Sequence, residues 1–292
     1  MNATKKELLA AYWTLAGDVY PGAPTEVSPH SLQSRAEIAG AVGYTGMGLV
    51  HADLMHHARS IGYKAMKSIL NDNGIRHIEV EFLSDWFCPA GDPRRKASDE
   101  MRSELLEAAA ELGARNLKAS PALMEEAPAD VDALAEEFTR LCEQARAFGT
   151  DVIIEMMPFT NVRTIDTAMA IIGKANQSNG GLLLDIWHLV RGGMDYSEIA
   201  KIPAKFFKGI ELDDADKEIV GTLFEDTRFQ RRLCGQGSFD IPRFLQESHK
   251  AGFNAPYYGV EIINEKFRKQ PLDVMAKTSY ETTMEQVQRA FN

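Results

Sequence analysis

The chain has 292 residues, 45% of them hydrophobic and 25% charged, with a formal net charge of −10. That length supports a core needing no disulfide or metal staples and suits one (β/α) barrel, while the acidic balance argues against a surface that tracks nucleic-acid phosphates with clustered Lys and Arg. Cys88, Cys142 and Cys234 lie far apart with no CxxC or Cys/His zinc spacing, and their odd number suits a reducing compartment.

The opening "MNATKKELLAAYWTLAGD" has no apolar core of signal-peptide length, and no uncharged apolar run reaches the ~18 residues of a membrane span. A cytoplasmic protein with no membrane contact is expected. Along the chain, short Val/Ile/Leu-rich runs alternate with longer segments of helical period. The expected strands are 12–17, 46–52, 75–82, 114–120, 150–158, 180–186, 206–214 and 257–264. Between them, helices are expected over 31–43, 62–74, 97–113, 130–149, 164–176, 195–202 and 240–252, with a helical tail from "PLDVMAKTSY" onward. Ser98 is read as one helix cap and Asp240 as another, and Gly43 and Gly252 as stops. Eight strands, most followed by a helix, imply a parallel sheet that closes. The predicted fold is an α/β (β/α)8 TIM barrel, a single domain over 1–292 with a C-terminal helical extension. A doubly wound open sheet is the alternative, and no GxGxxG turn follows the first strand to support it.

Four strand ends repeat one pattern: Ile154-Glu155-Met156, Leu184-Asp185-Ile186, Ile210-Glu211-Leu212 and Val260-Glu261-Ile262. Neighbouring side chains of a strand point to opposite faces, so an apolar pair turned to the helices sends the carboxylate into the lumen. Each lies near the C-terminal end of its strand, where barrel enzymes keep their chemistry. One such carboxylate reads equally well as a solvated loop residue. Four converging on one dry lumen repel one another unless a cation joins them, and hard oxygen donors suit Mn²⁺ or Mg²⁺, with Co²⁺ a third candidate. Lys118 and His51 are expected inward from the fourth and second strands, Lys118 as partial countercharge. Glu79 and Glu81 face inward by the same period. His56 and His57 are assigned no role.

These residues resemble the xylose isomerase-like barrel superfamily of sugar isomerases and epimerases. The likeness spans nearly the whole chain, through "VIIEMMP", "LLLDIWHLVRGG", "FKGIELDDAD", "RRLCGQGSFDIPRFL" and "YYGVEIIN", and through the loop Gly235-Gln236-Gly237-Ser238-Phe239-Asp240. The resemblance implies Glu155, Asp185 and Glu261 as metal ligands and Glu211 as the fourth, where epimerases of the group usually carry His or Gln. That departure leaves open the metal and a pure epimerase assignment. The resemblance further implies that His188 contacts substrate and that Arg232, with Arg231 as the alternative, holds a substrate oxygen. Trp86 is read either as a wall for the sugar face or as a packed core tryptophan.

The expected enzyme is a divalent-metal-dependent sugar or keto-sugar isomerase/epimerase. Glu155 and Glu261 move a proton next to a carbonyl and a metal stabilises the enediolate. The alternative is a metal-dependent dehydratase of an inosose or dehydroshikimate-like substrate. A phosphodiesterase and a barrel that binds sugar without turnover rank lower, the first for want of a basic surface and a zinc cluster, the second because four carboxylates are intact. The expected partners are a small carbohydrate or cyclitol and, from the resemblance, a second copy of the chain.

Overall fold

Eight strands hydrogen-bond in sequence order and close on themselves: β1 (Glu7–Ala10), β2 (Gly46–Val50), β3 (His77–Leu83), β4 (Asn116–Ala119), β5 (Asp151–Glu155), β6 (Gly180–Asp185), β7 (Phe207–Leu212) and β8 (Tyr257–Val260). All neighbours are parallel, and β8 returns to β1 with Glu7 beside Tyr257 and Ala10 beside Val260. Closure leaves no unpaired edge. The structure is a computed structural model that describes residues 6–292; the first five residues of the expected domain, and with them the start of the opening stretch, lie outside the described residues.

The helices are α1 (Tyr12–Leu15), α2 (Leu32–Val42), α3 (His51–Asp72), α4 (Pro93–Leu112), α5 (Val131–Ala147), α6 (Ile165–Ala175), α7 (Ile186–Arg191), α8 (Leu223–Phe229), α9 (Ile241–Lys250) and α10 (Leu272–Phe291). Their ends follow local chemistry. Thr164 and Asp240 each accept a backbone N–H of the first turn, and Gly43 closes α2 at φ 114°. The tail helix α10 completes the outer layer beside α9 and α2: Gln246 of α9 donates to its Ala290 carbonyl, and Tyr44, just past α2, bonds Ser279. No described helix is long and apolar enough to cross a membrane.

Several expectations shift. The first strand is Glu7–Ala10, not 12–17, where α1 stands instead. A short apolar run has no period that separates strand from buried helix, and "YWTL" is buried on every side. The second strand stops at Val50, so His51 opens α3 rather than ending β2. The helix expected over 62–74 begins eleven residues earlier at His51 and is interrupted at Gly62, whose φ of 77° is open to glycine. Asp92, not Ser98, caps α4, with Pro93 in the first turn; Ser98 lies inside the helix and donates to the Ser84 carbonyl. The helix α8 was not anticipated, although its Thr222/Glu225 capping box is legible. The segment expected as a helix over 195–202 is a 3-10 turn, Tyr196–Lys201.

Candidate active site

The alternation at the strand ends is realised. Ile154, Met156, Leu184, Ile186, Ile210, Leu212, Val260 and Ile262 all pack in the core between barrel and helices. Their neighbours Glu155, Asp185, Glu211 and Glu261 are all buried and turn the other way, and one oxygen from each lies within 4.8 Å of the others. Asp185 stands beside Glu211 in the β6–β7 register, and Glu211 beside Gly259 in β7–β8. Glu211 has room only because residue 259 lacks a side chain: a Cβ there would sit 2.6 Å from Glu211 Cγ.

Two cations enter this cluster from within the protein. Lys118, fully buried on β4, pairs with Glu211 and reaches Glu81 Oε2 at 3.2 Å and Glu79 Oε2 at 3.8 Å. Arg231 Nη1 donates to Asp185 Oδ2 at 2.6 Å and to Asp213, and lies 3.1 Å from Glu261 Oε2. Thr227 Oγ1 accepts from Arg231 Nε and Nη2 and fixes the guanidinium plane. Six buried carboxylates (Glu79, Glu81, Glu211, Asp185, Asp213 and Glu261) thus pair with Lys118 or Arg231, and Glu155 stands beside His188. Internal cations, Lys118 as expected and Arg231 beside it, compensate part of the cluster's charge.

The remaining imbalance appears in the titration of the carboxylates. Burial, reinforced by Glu261, holds Glu211 well above the usual carboxylate range despite Lys118. Burial pushes Glu261 up to about 8, with Glu155 and Asp185 adding and Arg231 and Lys118 opposing. Burial works against the charge on Asp185 too, but Arg231, His188 and the Trp187 N–H outweigh it and hold the group below its ordinary value. Burial likewise opposes the charge on Lys118, and Glu211, Glu81, Glu79 and Glu261 overcome it and raise the ammonium well above its usual value.

The donor set fits a divalent cation. Glu211 Oε2 is buried without a hydrogen-bond partner among the described residues, although Oε1 is held by Lys118. His188 Nε2 lies 3.1 Å from Glu155 Oε1 and 3.9 Å from Asp185 Oδ2, while its Nδ1 is also unpartnered. Four carboxylates and a nearby imidazole are oxygen-rich donors of the kind Mn²⁺ and Mg²⁺ favour. Above them opens a cavity of about 490 Å³ whose lining includes Glu155, Glu261, His188 and Arg231.

The other expected residues fall differently. His51 lines the cavity from the start of α3, but its Nε2 is bound to Glu104 Oε2 at 2.6 Å. Trp86 does not line the cavity: it is buried against Phe138, and its indole N–H donates to the Ser120 carbonyl. Arg231, the sequence's alternative, reaches the carboxylates; Arg232 points outward, 44% exposed, to Asp216. Backbone alternation explains the swap, since adjacent residues of an extended segment point apart. Glu79 and Glu81 face inward as expected, and Glu79 accepts from Tyr257 and Asn116. Asp213 was missed, though its spacing of two from Glu211 was the available signal. The glycine loop is organised by Asp214, whose carboxylate accepts the N–H groups of Gly235, Gly237, Phe239 and Ala215.

Comparison with known proteins agrees with this architecture. Residues 36–287 match the family described as xylose isomerase-like TIM barrel. A 3-dehydroshikimate dehydratase of Pseudomonas aeruginosa is 26% identical over 82% of this chain, and an inosose isomerase of Bacillus subtilis is 25% identical over 53%. The matches span 37% and 55% of those relatives' own lengths. Among solved structures, the IolI protein crystallised with a bound zinc atom superposes with a TM-score of 0.83 at 19% identity, covering 98% of this chain and 99% of that one, a likeness of fold.

Proposed function

The chain belongs to the xylose isomerase-like TIM-barrel family, and from that premise we propose that it is a divalent-metal-dependent isomerase or epimerase of a small sugar, keto-sugar or cyclitol. The observation that carries this reading is the convergence of Glu155, Asp185, Glu211 and Glu261 from four strands, with Glu211 Oε2 left unpartnered. Those four carboxylates would hold the cation, and a bound dication supplies Lewis-acid polarisation of a carbonyl and its adjacent hydroxyl. The chain's own groups do the rest. Glu261, which lines the cavity beside Arg231, would accept and return the proton at the substrate carbon. Glu155 offers a second carboxylate from β5, three strands away, beside His188. Arg231 keeps Asp185 ionised, and its side chain lines the cavity where a substrate oxygen would lie. Phe159 and Trp13 contribute apolar walls to that cavity.

Return of the proton to the same carbon from the other face is epimerisation; return to the neighbouring carbon is isomerisation. A second reading, dehydration, is supported by the dehydratase relative matched over 82% of this chain. The test is incubation with Mn²⁺ and a panel of ketoses and keto-cyclitols in D₂O, followed by NMR. Carbon-bound deuterium without loss of water is expected, and Glu155→Gln and Glu261→Gln should each abolish it. Loss of water from the substrate would transfer the assignment to the dehydratase. Wild-type exchange in either variant would remove that glutamate from the mechanism.

A further inference from the structure

Two oppositely charged side chains line the cavity without pairing: Arg228 of α8 and Glu26 of the segment between α1 and α2. Gly22 touches both. Its N–H donates to Glu26 Oε1 at 2.7 Å, and a Cβ on it would lie 3.7 Å from Arg228 Nη2. The guanidinium carbon of Arg228 sits 4.8 Å from the ring centre of Phe224 and 5.0 Å from that of Tyr20. Aromatic faces stabilise a cation but accept no in-plane hydrogen bonds. Arg228 Nε is buried with no hydrogen-bond partner, and among the described residues no carboxylate oxygen, those of Glu26 included, comes within 4.0 Å of the guanidinium nitrogens. Gly22 is exposed and Glu26 and Arg228 are half-buried, whereas Glu155 and Glu261 are buried, so the pair stands at the solvent end of the cavity.

Charge of both signs limits the ligand. A carboxylate or phosphate that meets Arg228 also meets the like charge of Glu26, and an ammonium that meets Glu26 also meets Arg228. A hydroxyl suits both, because it donates one proton and accepts at two lone pairs, while a guanidinium only donates and an ionised carboxylate only accepts. Two hydroxyls on adjacent carbons can donate to Glu26, which has about four lone-pair sites and gives one to Gly22, and can accept from the N–H fork of Arg228. Three other polar groups of the lining are already engaged: His51 by Glu104, Glu81 by Lys118 and Thr227 by Arg231. Trp13, Phe159 and Phe224 offer apolar walls to the C–H faces of a ring. We propose that Arg228 and Glu26 form a second subsite that takes a vicinal diol of an uncharged polyol, whose hydroxycarbonyl end turns to the Glu155–Asp185–Glu211–Glu261 cluster. This rests on the function proposed above and narrows its substrate to a cyclitol or sugar that carries neither phosphate nor carboxylate.

The experiment measures binding rather than turnover. Calorimetric titration in Mg²⁺ buffer would compare 2-hydroxycyclohexanone, 2,4,5-trihydroxycyclohexanone, which adds a vicinal diol across the ring, and 5-carboxy-2-hydroxycyclohexanone. The wild-type protein is expected to bind the diol at least about tenfold more tightly than either of the others, in line with hydrogen bonds to two charged groups. Glu26→Ala and Arg228→Met should each bring the diol to near equality with 2-hydroxycyclohexanone. Glu26→Ala should also bind the carboxylate more tightly than the wild type does, since Arg228 then stands alone. Glu26→Gln and Arg228→Lys, which keep a polar group, should fall between and serve if the shorter or apolar variants lower the melting temperature. The proposal is overturned by absence of a diol preference in the wild type, by a preference that survives both substitutions, or by tighter wild-type binding of the carboxylate. Failure of deuterium exchange with the diol preference intact would overturn the isomerase reading and leave the subsite standing; exchange without a diol preference would do the reverse.

Discussion

Replacing Lys118 with methionine removes a charge while keeping most of the stem. The ammonium is fully buried against Glu211, with Glu81 at 3.2 Å and Glu79 at 3.8 Å. Taking one partner from a buried ion pair costs about 3–5 kcal/mol. Here the carboxylates left behind have a partial escape, because burial already raises Glu211 and Glu81 and they can take up protons. The expected loss in chelator is therefore at the lower end, about 3 kcal/mol. A metal ion at about 100 times its Kd returns about 2.7 kcal/mol to a native state that binds it. With Lys118 absent the cluster is more negative, so the ion should bind the variant more tightly than the wild type. Urea unfolding followed by circular dichroism, in EDTA and in Mn²⁺, reads both effects. The midpoint gap between Lys118→Met and wild type should be wide in EDTA and narrow in Mn²⁺. Equal midpoints in EDTA, or a gap that widens with Mn²⁺, would refute the view that Lys118 is an internal countercharge.

The two adjacent arginines should separate cleanly. Arg231→Met strands Asp185 and Asp213 and should cost about 3 kcal/mol or more of stability, whereas Arg232→Ala removes an exposed pair and should cost less than about 1 kcal/mol; paired urea titrations check this. Metal-free protein should also lose stability as pH rises through the window from the ordinary glutamate value to about 8. Folded Glu261 keeps a proton there that the unfolded chain has released, so the unfolded state gains with each step in pH. Melting temperatures in EDTA at pH 5.5 and pH 9 measure the drop, and Glu261→Gln should flatten it; an equally steep slope in that variant would assign the effect elsewhere.

The barrel and its carboxylate ring were legible because both rest on strict periodicities. A closed lumen forces Glu155, Asp185, Glu211 and Glu261 inward once their apolar neighbours face the helices. The same rule placed Lys118, Glu79 and Glu81. It failed where the backbone leaves the strand. His51 sits one residue past the end of β2, where helical geometry replaces alternation. Arg231 and Arg232 lie in an irregular segment whose phase is set by Asp214 pairing with Arg232 through the backbone, a contact between distant stretches that local sequence does not encode. Trp86 follows β3 as expected, but its side chain turns to the Ser120 carbonyl, a partner visible only in three dimensions.

The missing side chain at Gly259 has a consequence for what can stand at position 211. The space it leaves is the space Glu211 fills, so any larger residue at 259 displaces whatever donor stands at 211. The donor itself is freer to drift, since an imidazole or an amide could take up the same vacancy. Enlarging residue 259 should therefore disturb the side chain at 211 before it disturbs the barrel.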